Sequence, residues 1–372
     1  MAIQTSHVGS LPRSQKVVEY IFAKEKGEDY SEIEFDQVMT EAVNDTVRKQ
    51  KKAGITIVSD GETSKISYAT YVKDRYHGFA GDSPRNAPAD LKKFPNYLQK
   101  LANDGGTPKY ARPMCVSKLE PKKNDDLIKD IDNLKKALKG NDIKKGFMNA
   151  ASPGVISLFL QNDYYPSRED YLEALSNLMQ SEYEMIVKSG LDLQIDCPDL
   201  ALSRHMLFND MTDDEFVKVA SINIESLNNA LRNIPKDKIR IHICWGNYEG
   251  PHICDISISK MFETLMNVKT GHILFEAANP RHAHEWEVFE EKKNLIPDDL
   301  ILMPGVIDTT TNFVEHQNLV MQRLKNFTNI VGNDRVIGSS DCGFGTFAGF
   351  GTIDPDIAYE KLKVLAEGAA KV

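Results

Sequence analysis

The sequence contains no apolar run approaching the roughly 20 residues that a bilayer span needs, and its opening "MAIQTSHVGSLPRS" has no apolar signal region. No Gly-rich dinucleotide fingerprint follows the first β-rich run, and no internal repeat is visible. The densest basic segment, "LEPKKNDDLIKDIDNLKKALKGNDIKKG", alternates in sign, as a solvated helix surface does. With a net charge of −9, neither nucleic acid nor a membrane is an expected partner, and a soluble cytoplasmic protein is the expectation. The chain has 5 cysteines, an odd number with no secretion signal, which argues against a disulfide framework. Cys115, Cys197, Cys244, Cys254 and Cys342 must each be a small buried hydrophobe, a ligand or a nucleophile.

What is present is a chain of 372 residues, 41% of them apolar, enough for one large core or two modest ones. Short β-rich runs alternate with longer helical patterns. The runs are "IQTSHVG", "GITIVSD", "PMCVSKL", "KGFMNAAS", "LDLQIDC", "IRIHICW", "HILFEAA", "LMPGVID" and "RVIGSSD". Between them, "SREDYLEALSNLMQSEYEMIVKSG" carries a Ser N-cap and a closing Gly, and "MTDDEFVKVASINIESLNNALRNIP" carries acidic residues in its first turn and a Pro past its end. Such alternation implies a parallel sheet in an α/β fold, and about eight repeats suggest a single (β/α)8 TIM barrel over residues 1–372. An open doubly wound sheet is the runner-up. One run is surplus. "PMCVSKL" is expected to be half of a hairpin laid over the barrel, within an excursion near residues 78–125 that is rich in Gly, Pro, Asn and Lys.

In such a barrel, chemistry sits where the strands end. Here those ends read "SHVGS", "SDGE", "IDCPD", "HICWGN", "FEAANPRHAHEW", "GVIDTTTN" and "SSDCGFG". His242 and Cys244 are two apart, so on a strand both face one side. Glu276 ends the next run and Cys342 the last. Together they form a nitrogen, sulfur, oxygen and sulfur set of the kind that tetrahedral zinc accepts. His252 and Cys254 are the competing donors, in the loop after "GNYEG". Cys197 can line the site, although Pro198 beside it suggests packing, and Cys115 is expected to be inert. His282 and His284 are expected in surface or supporting positions, because a helix separates residues two apart. Trp245 and Tyr248 are expected to wall the pocket, and Arg112 to meet an anionic group or lie on the surface.

These motifs, in order, resemble the catalytic half of cobalamin-independent methionine synthase and its short single-barrel relatives, over residues 5 to 350. The resemblance implies Zn2+ on His242, Cys244, Glu276 and Cys342, with homocysteine as the thiol. It implies Val8, Gly9 and Ser10 at the first turn, with Glu62 and Asp196, as holders of the amino acid. Chemistry agrees: a ligand ammonium suits carboxylates, and a ligand carboxylate suits N–H groups at a Gly-containing turn. Taken alone, Glu62 and Asp196 are equally well read as helix caps or barrel-rim residues. Two departures stand out. The full-length synthase carries a second barrel that this chain has no room for, and Thr310 stands where the family has a His two residues after the Asp of "GVIDTTTN". Asp308 and Thr310 are therefore the candidate catalytic pair, with a rim role as the alternative for Asp308. An aromatic that the family stacks on the pterin falls near Phe159. The expected partners are a small thiol and a methyl donor, with homo-oligomerisation left open. Short relatives include the epoxyalkane:coenzyme M transferases. A zinc hydrolase, a barrel decarboxylase and a structural zinc protein are the remaining readings. Two cysteines speak against the first, the lack of clustered arginines against the second, and the position at a barrel mouth against the third.

Overall fold

The computed structural model describes residues 3–83, 87–103, 110–351 and 353–372. Its strands are β1 (Gln4–Thr5), β2 (Tyr76–Ala80), β3 (Met114–Pro121), β4 (Phe147–Ala151), β5 (Asp192–Asp196), β6 (Ile239–His242), β7 (His272–Glu276), β8 (Ile301–Ile307) and β9 (Ile337–Ser340). One 7-stranded sheet runs in the order β1-β9-β8-β7-β6-β5-β4, with every neighbouring pair parallel. A parallel sheet covered by helices buries both faces, which is why β4, β6 and β9 are buried at every residue. The helix signals hold. Ser167 accepts from Asp170 N at the start of the helix Arg168–Lys188. Thr212 and Glu215 make a reciprocal capping box on the helix Asp213–Ala230, satisfying donors that a helix start leaves orphaned.

The sheet curls. Val8, Ile57, Phe147, Leu274, Met303 and Ile337 share one buried cluster, yet they come from both edges of the sheet and from its middle. Residues of the opposite parity, among them Ile195, Ile241 and Leu302, belong to the larger core shared with the helices. Side chains alternate along a strand, so Arg240 and His242 face the inside of the curl while Ile239 and Ile241 face out.

The expected second strand is where structure and sequence part. Residues 55–59 form a single parallel bridge, Val58 to Gly146, rather than a regular strand. The segment nevertheless runs between the two sheet edges. Ile57 N donates to Thr5 O at 3.0 Å, Val58 N to Lys145 O at 3.3 Å, and Phe147 N to Val58 O at 2.9 Å. The irregularity has a local cause, because the Thr56 hydroxyl takes the place of ladder bonds to β1. Thr5 N donates to Thr56 Oγ1 at 2.8 Å, and Thr56 Oγ1 donates to Thr5 O at 2.9 Å. The structure thus shows a curled parallel sheet of 7 regular strands.

The surplus run "PMCVSKL" forms β3, which pairs antiparallel with β2 in a separate 2-stranded sheet, as expected of the excursion. It is tied to the body by Cys115 N, which donates to Gln161 O at 2.8 Å. Among the described residues, no helix is long and apolar enough to cross a membrane.

Candidate metal centre and substrate cavities

Three of the four expected donors converge. One ligating atom each from His242, Cys244 and Cys342 lies within 4.8 Å of the others, and all three residues are buried. Cys244 Sγ and Cys342 Sγ are 3.8 Å apart although 98 residues separate them in sequence. The register explains this: β6 and β9 end at His242 and Ser340, and Ile243 N continues the pairing beyond β6 by donating to Leu274 O at 2.9 Å. His242 is the register partner of Asp196 on β5, and its Nδ1 lies 3.2 Å from Asp196 Oδ1. A carboxylate there fixes the proton on Nδ1 and leaves Nε2 as the lone-pair nitrogen. The hydrogen-bonded Cys342 sulfur, burial and the charge of Cys342 together push the Cys244 thiol well above its ordinary value.

Glu276 ends β7 beside this cluster but is turned toward its neighbours. Trp245 N donates to its Oε1 at 2.9 Å and Asn279 Nδ2 donates to its Oε2 at 2.5 Å. Burial and the Cys244 sulfur raise its carboxyl well above the usual carboxylate range.

A cavity of about 320 Å³ opens on the sulfurs. Val8, Ser10, Glu62 and Asp196 line it together with His242, Cys244 and Cys342. Gly9 lies behind this wall, where a Cβ would come within 2.4 Å of the Asn149 side chain, so only glycine fits. Glu62 sits at φ 53, unusual for a residue with a side chain. Its Oε2 is buried without a hydrogen-bond partner. Burial, set against Lys65 and reinforced by Asp196, raises its pKa to about 7. Tyr68, Phe159, Phe347 and Phe350 make the apolar wall, and Arg112 closes one side, its guanidinium 5.2 Å from the Phe159 ring centroid. Tyr248 also lines the cavity. Trp245 does not wall it as expected. Its indole is buried, donates from Nε1 to Ile256 O at 2.6 Å and lies tilted against the His282 ring, 4.4 Å between centroids.

Asp308 and Thr310 line a second cavity of about 400 Å³, which shares Gly246, Asn247, Tyr248 and Cys342 with the first. The Asp308 carboxylate accepts from Thr310 N and Oγ1 at 3.0 and 2.8 Å, and from Thr311 N and Oγ1 at 2.9 and 2.6 Å. The competing donors go elsewhere. Asp255 gathers His252 Nδ1 at 2.8 Å, His282 Nε2 at 2.9 Å and His205 Nδ1 at 3.1 Å. Cys254 is half-buried and His284 exposed. Cys197 is fully buried, and burial pushes Cys115 up to about 11. Sequence reasoning missed Tyr68, Phe347 and Phe350. The phenylalanines of "GFGTFAGFG" were the available signal, but nothing in the spacing assigns an aromatic to a wall.

A curled parallel α/β sheet with a sulfur-rich candidate metal site at its carboxyl rim is the class that fold and site define. No protein-family model matches the chain. Its likeness to individual proteins is nevertheless full-length. It is 25% identical over 368 residues to "Methionine synthase" of Thermococcus kodakarensis, covering 98% of this chain and 92% of that protein. It is 24% identical over 366 residues to "2-hydroxypropyl-CoM lyase" of Xanthobacter autotrophicus, covering 90% and 86%. It shares its fold with a B12-independent methionine synthase from Shewanella sp. W3-18-1, with a TM-score of 0.74 at 20% identity over 99% of this chain and 97% of the other. The resemblance carried by the motifs is borne out at this level.

Proposed function

We propose that the chain transfers a methyl group to the sulfur of homocysteine, giving methionine, with zinc held by His242, Cys244 and Cys342 and with Glu276 as the fourth donor. The approach of Cys244 Sγ to Cys342 Sγ at 3.8 Å beside His242 carries this reading. The donor set suits the ion. Two thiolates this close and this buried repel each other unless a cation lies between them, and sulfur with imidazole is the ligand chemistry zinc takes. Bound there, zinc would keep the substrate sulfur as thiolate near neutral pH, where a free thiol of pKa roughly 8.5 is mostly protonated.

The remaining work falls to the chain itself. Glu62 and Asp196 receive the ammonium of the amino thiol, which supplies the partner that the buried Glu62 Oε2 lacks. The turn Val8–Gly9–Ser10 receives its carboxylate. The aromatic wall excludes water and orients the methyl donor, and Asp308 fixes the Thr310 hydroxyl at the donor side. We read residues 55–59 as the eighth strand position of a (β/α)8 barrel, on the strength of their hydrogen bonds to both sheet edges. Residues 1–372 are read as one domain, because one core cluster draws residues from Ile3 to Ala369. A cytoplasmic protein with small-molecule partners, free to form a homo-oligomer, completes the reading.

Likeness to the 2-hydroxypropyl-CoM lyase favours a second reading, alkyl transfer to coenzyme M. Glu62 and Asp196 place it second, because that thiol has no ammonium. The test is a donor screen of the zinc-loaded protein. Homocysteine is offered with methyltetrahydrofolate carrying one or several glutamates, a methylcorrinoid or an S-methyl donor, and coenzyme M is offered with a short epoxide. Methionine from any of the first group is expected. Consumption of the epoxide without methionine would replace the first reading by the second.

A further inference from the structure

We propose that Asp341 is a positioning residue that holds the donors at the ends of β7 and β9 in one geometry, an inference that rests on the metal reading above. Asp341 stands directly before Cys342, at the end of β9. Its carboxylate, buried and on the inner side, accepts from three successive backbone amides. Ala277 N and Ala278 N donate to Oδ1 at 2.8 and 2.9 Å, and Asn279 N donates to Oδ2 at 2.8 Å. Those amides directly follow Glu276.

The geometry solves a problem of topology. β7 and β9 are not neighbours, because β8 lies between them, so no ladder bond can fix the ends of Glu276 and Cys342 against each other. Asp341 reaches across β8 at Gly305, where a Cβ would lie 2.4 Å from Asp341 Oδ1 and 2.5 Å from its Cα. Only the missing side chain of glycine leaves that crossing open. From the far side, Arg323 holds the same loop, donating to Ala278 O at 2.9 Å and to Val306 O at 3.0 Å.

Two connections then run from one residue to the donor set. Asp341 is bonded to Cys342 through the chain. Through the Asn279 backbone it aims the Asn279 side-chain amide, which holds Glu276 Oε2 at 2.5 Å. Partners of this kind set ligand orientation, and their loss typically weakens metal binding about 10–100-fold.

The test uses Asp341→Asn and Asn279→Ala in the full chain. Zinc dissociation constants are measured by chelator competition, cobalt-substituted spectra report sulfur coordination, and circular dichroism reports the fold. Asp341→Asn turns an amide N–H toward backbone N–H groups. It is expected to weaken zinc binding by about 10–100-fold, while the sulfur-to-cobalt band keeps its intensity because both cysteines remain. Asn279→Ala leaves the backbone clamp in place and removes the link to Glu276. It is expected to weaken zinc binding several-fold, with a modest fall in melting temperature because Asn279 Oδ1 also accepts from Arg281 N and His282 N, and it decides the matter should Asp341→Asn fail to fold. Zinc binding within twofold of wild type in a folded Asp341→Asn, or in Asn279→Ala if that protein is the one that folds, would overturn the inference while leaving the metal site standing. A wild-type chain that binds neither zinc nor cobalt would overturn the metal reading, and this inference with it.

Discussion

Cys244 and Cys342 meet only because two strand ends point at one spot, so replacing either sulfur should remove the ion and the chemistry together. For Cys342→Ser the expectation is loss of bound zinc with at least ~100-fold lower activity, the upper range for partners that merely support a ligand; metal analysis beside turnover checks it. Glu62 gives a second test. Its pKa of about 7, raised by burial and by Asp196 against the pull of Lys65, means it loses charge as pH falls below that value. An ammonium ligand needs the charged form. kcat/KM for homocysteine should therefore fall below pH 7 in the wild type, whereas Glu62→Gln should be flat there and about 10–100-fold lower throughout, as befits loss of a charge-assisted hydrogen bond. Parallel profiles for the two proteins would remove Glu62 from the site. At this scale the convergence of His242, Cys244 and Cys342 was legible, because an HxC pair at one strand end and a Cys at another point to one rim. Asp341 was not, since a short acid at a strand end looks alike whether it binds substrate, caps a turn or clamps a loop.

Among elements, the loop after β6 is anchored by histidines gathered on one carboxylate. Asp255 joins His205 of the short helix Ser203–Met206, His252 of its own loop and His282 near the start of the helix Trp286–Glu291. Burial opposes the charge of His282, but hydrogen bonds to Asp255 and Glu285 outweigh it and raise its pKa from 6.5 to about 10. Because the folded value is the higher one, the stabilisation is complete below pH 6.5 and is lost as pH rises through about 10. His282→Gln should cost of order 3 kcal/mol near neutrality. It should also flatten the fall in melting temperature between pH 7 and 10, which thermal scans at several pH values would reveal; an equally steep fall in the variant would contradict it. Element types were mostly visible in the sequence as apolar runs, caps and a surplus strand. Residues 55–59 were less so, because the Thr56 hydroxyl replaces ladder bonds that a propensity pattern assumes.

Across the whole molecule, the excursion is tied down by charges buried where Arg75 precedes β2. Its guanidinium lies 2.8 Å from Glu182 and 2.7 Å from Asp130, on two different helices. Glu182 also accepts from the Tyr71 and Tyr76 hydroxyls, so Glu182→Ala leaves buried donors and one arm of Arg75 without an acceptor and should lower unfolding stability by about 3–5 kcal/mol in urea titrations; a shift under ~1 kcal/mol would show that these donors find other partners. Nothing in the spacing announced this contact, because its partners are 55 and 107 residues apart. The curled sheet brings His242, Cys244 and Cys342 to a common rim. X-ray absorption at the zinc edge, with and without homocysteine, examines that rim most directly. Two sulfurs at roughly 2.3 Å should become three when the thiol is added; a shell of nitrogen and oxygen alone, or a sulfur count that the thiol leaves unchanged, would contradict thiol activation at this site.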